Sequence, residues 1–341
     1  MFTVEKVLFW VEWKDLEMNR RELLVKMSIM GGLALTQPWQ IVKLLGVRDH
    51  ESALQQLRDW DISADAYSAS CASPRKRILN SMLFTGQGLE LITDYGVDYL
   101  SPGDRTTVGA VDWTDGTNGS PTSAWFDNFA ANFPATTYCD WFFFDHENWP
   151  FSTQAERLDS AHKFALLYAG IKSRLPNMKF GFYSYPLLRD YFQSGTLPGN
   201  ASYEAWKGQN DDFAEVYPLV DAFFPSVYYF YNRATDTPQT VSGAYQYLVQ
   251  NLLEQKRCIK KWSAGRDQPV YPFVNWTKSG NGVTNLDLDI WEMMLRSCIQ
   301  YADGFVLWGG SGAWSVGKTQ SWWLNVTEPI LRNKRFWSPA V

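Results

Sequence analysis

Two carboxylic acids one residue apart, Asp145 and Glu147, stand where four consecutive aromatics, Trp141-Phe-Phe-Phe144, give way to Asp145-His-Glu-Asn-Trp-Pro150. In an extended chain, side chains at i and i+2 leave the same face, so the two acids project together while His146 points away from them. Strand rise sets their Cα atoms about 6–7 Å apart, a range at which two carboxylates repel and one tends to keep its proton. A protonated carboxyl beside an ionised one can protonate a leaving oxygen, such as that of a glycosidic bond. A bare Asp-x-Glu also caps helices or simply faces solvent, so its companions must decide.

Those companions are aromatic and polar. Three later apolar runs end in Tyr183 and Tyr185, in Tyr228 and Tyr229, and in Trp308. Two more end in Asp112 and Asn275. Such rings offer an apolar face to the C–H face of a pyranose, with polar groups nearby for its hydroxyls. Asp145 and Glu147 are therefore the expected catalytic pair, and Tyr183, Tyr185, Tyr228, Trp308, Asp112 and Asn275 the expected substrate-binding set.

The elements that must position them are short apolar runs alternating with amphipathic stretches. Strands are expected over Val108–Trp113, Tyr138–Asp145, Lys179–Ser184, Ala222–Tyr229, Val270–Asn275 and Gly304–Trp308. A helix over residues 153–175 follows the second of these, and Ala244–Leu253 carries apolar residues at helical spacing. Arg77–Phe84 and Val97–Leu100 are weaker runs that would bring the total to eight. Continuous βα alternation predicts an α/β protein, a TIM-like (β/α) barrel with irregular first strands, over an open doubly wound sheet. No Gly-x-Gly-x-x-Gly opens a helix, which argues against a dinucleotide site. The turn-rich Thr114–Pro121 is expected at the mouth of the cleft.

Residues 77–335 would make the barrel, 37–76 a helical extension, and 1–36 a leader. Within that leader Arg20-Arg21, Leu23-Leu24 and Lys26 precede a short, weakly apolar stretch, Met27–Thr36, in the manner of a twin-arginine export signal. Residues 1–17 precede Met18, which reads as the true start. The expected location is periplasmic or extracellular.

Composition bounds the rest. The 341 residues are 45% hydrophobic and 20% charged, enough for one large core. Aromatics reach 16%, with 17 Trp, 17 Tyr and 21 Phe, which suits a sugar cleft as well as a core. A net charge of -5 without basic clusters argues against nucleic acid, and Lys26 and Lys43 interrupt the long apolar region near the start, so integral membrane association is not expected. Cys71, Cys139, Cys258 and Cys298 form no C-x-x-C, and only His50, His146 and His162 are present, so no metal centre and no cofactor are expected. Sequons begin at Asn118, Asn200, Asn275 and Asn325.

Residues from about 139 to 332 resemble the hyaluronidase family of glycoside hydrolases. Phe144-Asp-His-Glu-Asn-Trp149 stands where that family has Asp-Trp-Glu-x-Trp, Phe180-Gly-Phe-Tyr-Ser-Tyr-Pro186 is similar to its Gly-Phe-Tyr-x-Phe-Pro, Phe224-Pro-Ser-Val-Tyr228 to its Tyr-Pro-Ser-Ile-Tyr, and Gly304-Phe-Val-Leu-Trp308 to its Gly-Val-Val-Leu-Trp. The closing Glu328-Pro-Ile-Leu331 is similar too. The resemblance implies a distorted barrel and retaining, substrate-assisted hydrolysis of N-acetylhexosaminidic bonds. Glu147 would be the proton donor and Asp145 would orient the attacking acetamido group. It further implies that Tyr183 hydrogen-bonds the reacting sugar, that Tyr228 lies by the acetamido group, and that Trp308 walls the subsite.

Three departures stand out. His146 replaces a Trp, Pro186-Leu-Leu-Arg-Asp-Tyr191 replaces Pro-Asp-Cys-Tyr-Asn, and the cysteines do not match the family's disulfides. Arg189 and Arg233 are the candidate basic groups for an anionic polymer. Two other functions fit the same residues: a two-carboxylate glycosidase with Asp112 or Asp221 as partner, and a barrel that binds carbohydrate without turnover. A polysaccharide or oligosaccharide is the expected partner in every case.

Overall fold

The computed structural model describes residues 77–80, 98–102, 119–132, 141–188, 199–229, 238–277, 285–309 and 321–333. The expected leader and helical extension lie outside them, as do Asp112, Arg189, Arg233, Cys71 and Cys139. Six strands are laid out: β1 (Arg77–Asn80), β2 (Asp98–Pro102), β3 (Trp141–Phe144), β4 (Lys179–Phe182), β5 (Phe273–Val274) and β6 (Gly304–Leu307). They form one sheet in the order β4-β3-β2-β1-β6-β5, and every pairing in it is parallel. Helices fall between strands: α1 (Ser123–Asn132), α2 (Gln154–Lys172), α3 (Ala201–Asp211), α4 (Pro238–Trp262) and α5 (Leu288–Tyr301). The chain then makes a π-helical turn, Trp323–Thr327, and a short α6 (Glu328–Arg332). The protein is thus mixed α/β.

The expected strand Ala222–Tyr229 does not form a continuous one. Instead Phe224 bridges Tyr183 beside β4, while Phe223 and Ser226 bridge Val270 and Phe273 on the β5 side, all in parallel. Pro225 and Pro272 have no N–H to give to a ladder, and they interrupt both this segment and β5. The ladder continues through their carbonyls, with Phe273 N–H donating to Pro225 O (2.8 Å) and Val306 N–H to Pro272 O (2.8 Å). The approach to β4 needs Gly181, where a Cβ would stand 2.0 Å from Ala222 O.

β2 pairs directly with β3, Leu100 opposite Trp141, and the expected strand Val108–Trp113 lies outside the described residues. The two weak early runs do enter the sheet, as β1 and β2.

Strand alternation divides the side chains into two layers. Leu79, Phe143, Tyr183, Ala222, Phe224, Tyr228, Tyr271, Phe273 and Val306 form one buried cluster on the face of the sheet away from α1 and α2, with Trp308 packed against it. The alternate residues meet helices. Phe144 packs on Trp125 and Phe129 of α1, and Phe182 on Phe164 of α2. Among the described residues no helix is long and apolar enough to cross a membrane.

Candidate active site

Because the strands are parallel, their carboxyl ends share one rim, the place where βα loops build sites in such sheets. On β3 the buried Phe143 is followed, two residues on, by Asp145, which is exposed. Regular strand geometry ends at Phe144, yet burial keeps alternating: Asp145 exposed, His146 buried, Glu147 exposed. Both acids therefore leave the chain on the side opposite His146.

The same two-residue spacing runs toward the carboxyl ends of the neighbouring segments, where Ser226, Tyr228 and Asn275 stay buried and Trp308 is partly buried. Phe224 leads to Ser226 and Tyr228, Phe273 to Asn275, and Val306 to Trp308. Tyr183 sits at the end of β4, its N–H donating to Phe144 O (2.8 Å), which sets it level with the start of the acid segment. Its hydroxyl donates to Ser226 Oγ (3.2 Å), and its ring lies 6.2 Å from that of Tyr228. Tyr228 in turn stacks on Trp308, centroids 5.7 Å apart and planes at 28°. Tyr183, Ser226, Tyr228 and Trp308 thus form one continuous aromatic and hydroxyl wall contributed by three different strand ends.

Two expected substrate residues are placed otherwise. Tyr185 stacks on Phe151 (4.3 Å, 28°) and lies against Phe164 of α2, in the helix layer rather than with Tyr183. The reason is local: Ser184 has φ of 66°, and Tyr185 N–H donates to Tyr183 O (2.8 Å), a three-residue turn that breaks the strand's alternation. Asn275 is buried, and its Oδ1 accepts from the Thr277 N–H and Oγ1, both at 3.0 Å, so it closes a turn after β5.

Asp221, the alternative second carboxylate, stands at the amino end of its segment, opposite the rim. Its Oδ2 accepts from Phe180 N (3.1 Å), from Tyr168 Oη (3.2 Å) and from Lys172 Nζ (2.8 Å). Burial, reinforced by the Asp221 charge, pushes the Tyr168 phenol up, so it stays a donor to that carboxylate. These contacts make Asp221 a clasp between β4, α2 and the following segment, which removes it as a partner of Glu147.

Ser226 is the functional candidate that the sequence left unmarked, although its place in Phe224-x-Ser226-x-Tyr228 puts it on the same face as these two rings. Of the segment expected at the mouth, residues 114–118 lie outside the described residues, and Gly119 O accepts from the buried Trp149 Nε1 (3.2 Å). Cys258 and Cys298 are free, buried thiols, and burial pushes both up. Among the described residues no group of three or more His, Cys, Asp or Glu side chains is arranged to hold a metal ion.

No family model matches the chain, and no curated protein matches it by sequence. Solved structures do match. The crystal structure of bee venom hyaluronidase aligns over 76% of this chain and 100% of its own, at 14% identity and a TM-score of 0.57. The same enzyme in complex with a hyaluronic acid tetramer aligns over 76% and 99%, at 15% identity and a TM-score of 0.53. With identity this low the likeness is one of fold: the mixed α/β architecture described above is similar to that of bee venom hyaluronidase.

Proposed function

We propose that this protein is a glycoside hydrolase of N-acetylhexosamine-containing polysaccharides, working by a retaining, substrate-assisted mechanism on a TIM-like barrel. The observation that carries it is the shared rim, where exposed Asp145 and Glu147 follow β3 and the Tyr183–Tyr228–Trp308 wall follows its neighbours in the ring of strands. Closure of that ring is part of the proposal. It is supported by the 221–227 segment, which bridges β4 on one side and β5 on the other and so joins the two edges of the six-stranded sheet into seven parallel positions.

In this mechanism the Glu147 carboxyl gives its proton to the glycosidic oxygen as the C–O bond breaks. The acetamido oxygen of the same sugar closes on the anomeric carbon, and Asp145 orients the acetamido N–H and offsets the positive charge that develops on the ring so formed. Water then attacks the anomeric carbon, giving its proton back to Glu147, so the product keeps the starting configuration. Tyr183 hydrogen-bonds the reacting sugar, with Tyr228 beside its acetamido group and Trp308 as the apolar wall.

Export through the Arg20-Arg21 leader belongs to the same proposal, and sequencing the amino terminus of the mature protein tests it. The central experiment is Glu147→Gln, assayed by reducing-end release from hyaluronan, chondroitin, chitin oligomers and peptidoglycan. Loss of a positioned general acid should lower kcat on the wild-type's substrate about 10²–10⁴-fold with the fold intact by circular dichroism. A folded variant with wild-type turnover would remove Glu147 from the chemistry. A wild type that binds these glycans and cleaves none of them would leave the carbohydrate-binding barrel.

A further inference from the structure

His146 stands between the two acids in sequence and goes the opposite way in space. It is 7% exposed while Asp145 and Glu147 face solvent. Its ring meets the Trp149 ring edge to face, centroids 4.2 Å apart and planes at 62°. Trp149 is buried and meets Phe164 of α2 edge to face at 4.7 Å. Phe164, fully buried, packs on Phe182 of β4 at 4.7 Å. A row of four rings therefore runs from the acid segment through α2 to the neighbouring strand.

The chain beyond Trp149 is pinned as well. Ser160 Oγ donates to Pro150 O (2.9 Å), and Arg157 Nη1 to Phe151 O (3.1 Å) and Ser152 O (3.3 Å). Arg157 is itself held by Asp212 at 2.8 Å. The acid segment is thus anchored at both ends, by β3 and by this turn, with His146 seated between the anchors. Successive side chains of an extended segment leave opposite faces, so seating the ring of His146 in the aromatic wall sets the direction in which Asp145 and Glu147 depart.

We infer that His146 is a positioning residue for the acid pair, acting through the packing of its ring on Trp149. This deepens the function proposed above and rests on Glu147 being the proton donor.

The test uses His146→Ala, His146→Phe and Glu147→Gln, each with kcat and KM on the best-cleaved hyaluronan or chitin oligosaccharide and a crystal structure of the unliganded variant. Misplacing a reacting group by about 1 Å costs on the order of 10²-fold, so His146→Ala should lose about 10–100-fold in kcat with KM within about twofold. His146→Phe keeps a flat buried ring and should recover most of that loss. The Asp145 and Glu147 carboxyls should be displaced in the Ala structure and in place in the Phe structure. His146→Leu substitutes for the Ala variant if the latter does not fold.

A folded Ala variant with wild-type kcat, a Phe variant as slow as Ala, or carboxyls unmoved in the Ala structure would each overturn the inference. Full activity in Glu147→Gln would instead count against the proton-donor assignment alone, since the carboxyl positions read the role of His146 without turnover.

Discussion

At Gly309 the missing side chain lets Trp276 lie across the backbone next to Trp308. A Cβ there would stand 1.9 Å from Trp276 Cη2, and Trp276 has little room to yield because it stacks on Trp322 at 4.2 Å with planes 7° apart. Gly309→Ala should therefore displace Trp276 or Trp308, at about 1–3 kcal/mol of stability, the usual cost of overpacking. Because Trp308 is proposed as a binding wall rather than a reacting group, KM should rise more than kcat falls. Urea unfolding and steady-state kinetics on one oligosaccharide check both, and an unchanged KM would show that the wall does not depend on this packing. At this scale the sequence was only partly legible. The positions of Asp145, Glu147, Tyr183, Tyr228 and Trp308 after apolar runs could be read from the sequence, while the direction of Tyr185 could not, because it turns on one backbone angle, φ of 66° at Ser184.

At the scale of elements, α2 begins at a capping box that its sequence states openly. Thr153 Oγ1 accepts from Glu156 N (3.2 Å) and Glu156 Oε2 accepts from Thr153 N (2.8 Å), which satisfies two amide groups that a helix start would leave open. Thr153→Ala should cost about 0.5–2 kcal/mol in equilibrium unfolding. It should leave kcat unchanged, because Thr153 touches neither the acids nor the aromatic row behind them. A large fall in kcat at constant stability would tie the helix start to the chemistry. Two helices were named from the sequence, α2 within its expected bounds and Ala244–Leu253 inside the longer α4, while α1, α3 and α5 were not. Each of the six strands overlaps an expected run, whereas Ala222–Tyr229 reads as a strand from its apolar residues but Pro225 reduces it to isolated bridges.

Across the whole molecule, the two ends of the parallel strands do different work. At the amino ends Asp221 ties Phe180, Tyr168 and Lys172 together, and Asp303 accepts from Val270 N (2.9 Å) and from Lys256 Nζ. Asp221→Asn replaces a charged acceptor of three donors by a neutral one and should cost about 1–3 kcal/mol of stability. Its kcat should stay at the wild-type value, as conserving the rim requires. Thermal unfolding with parallel kinetics checks this, and a collapse of kcat in a stable variant would revive Asp221 as a second catalytic carboxylate. What the sequence determined by itself was local: the alternation that puts Asp145 and Glu147 on one side, the helical periods, and the kinds of residue at each strand end. These follow from repeats of two and 3.6 residues, which neighbours along the chain suffice to define. Only the tertiary structure decided that β2 lies directly beside β3 with no strand between, that Tyr183 reaches Ser226, and that Tyr228 stacks on Trp308. Such pairings join residues far apart in sequence, and their free energy comes from packing and ladder hydrogen bonds that no local pattern encodes.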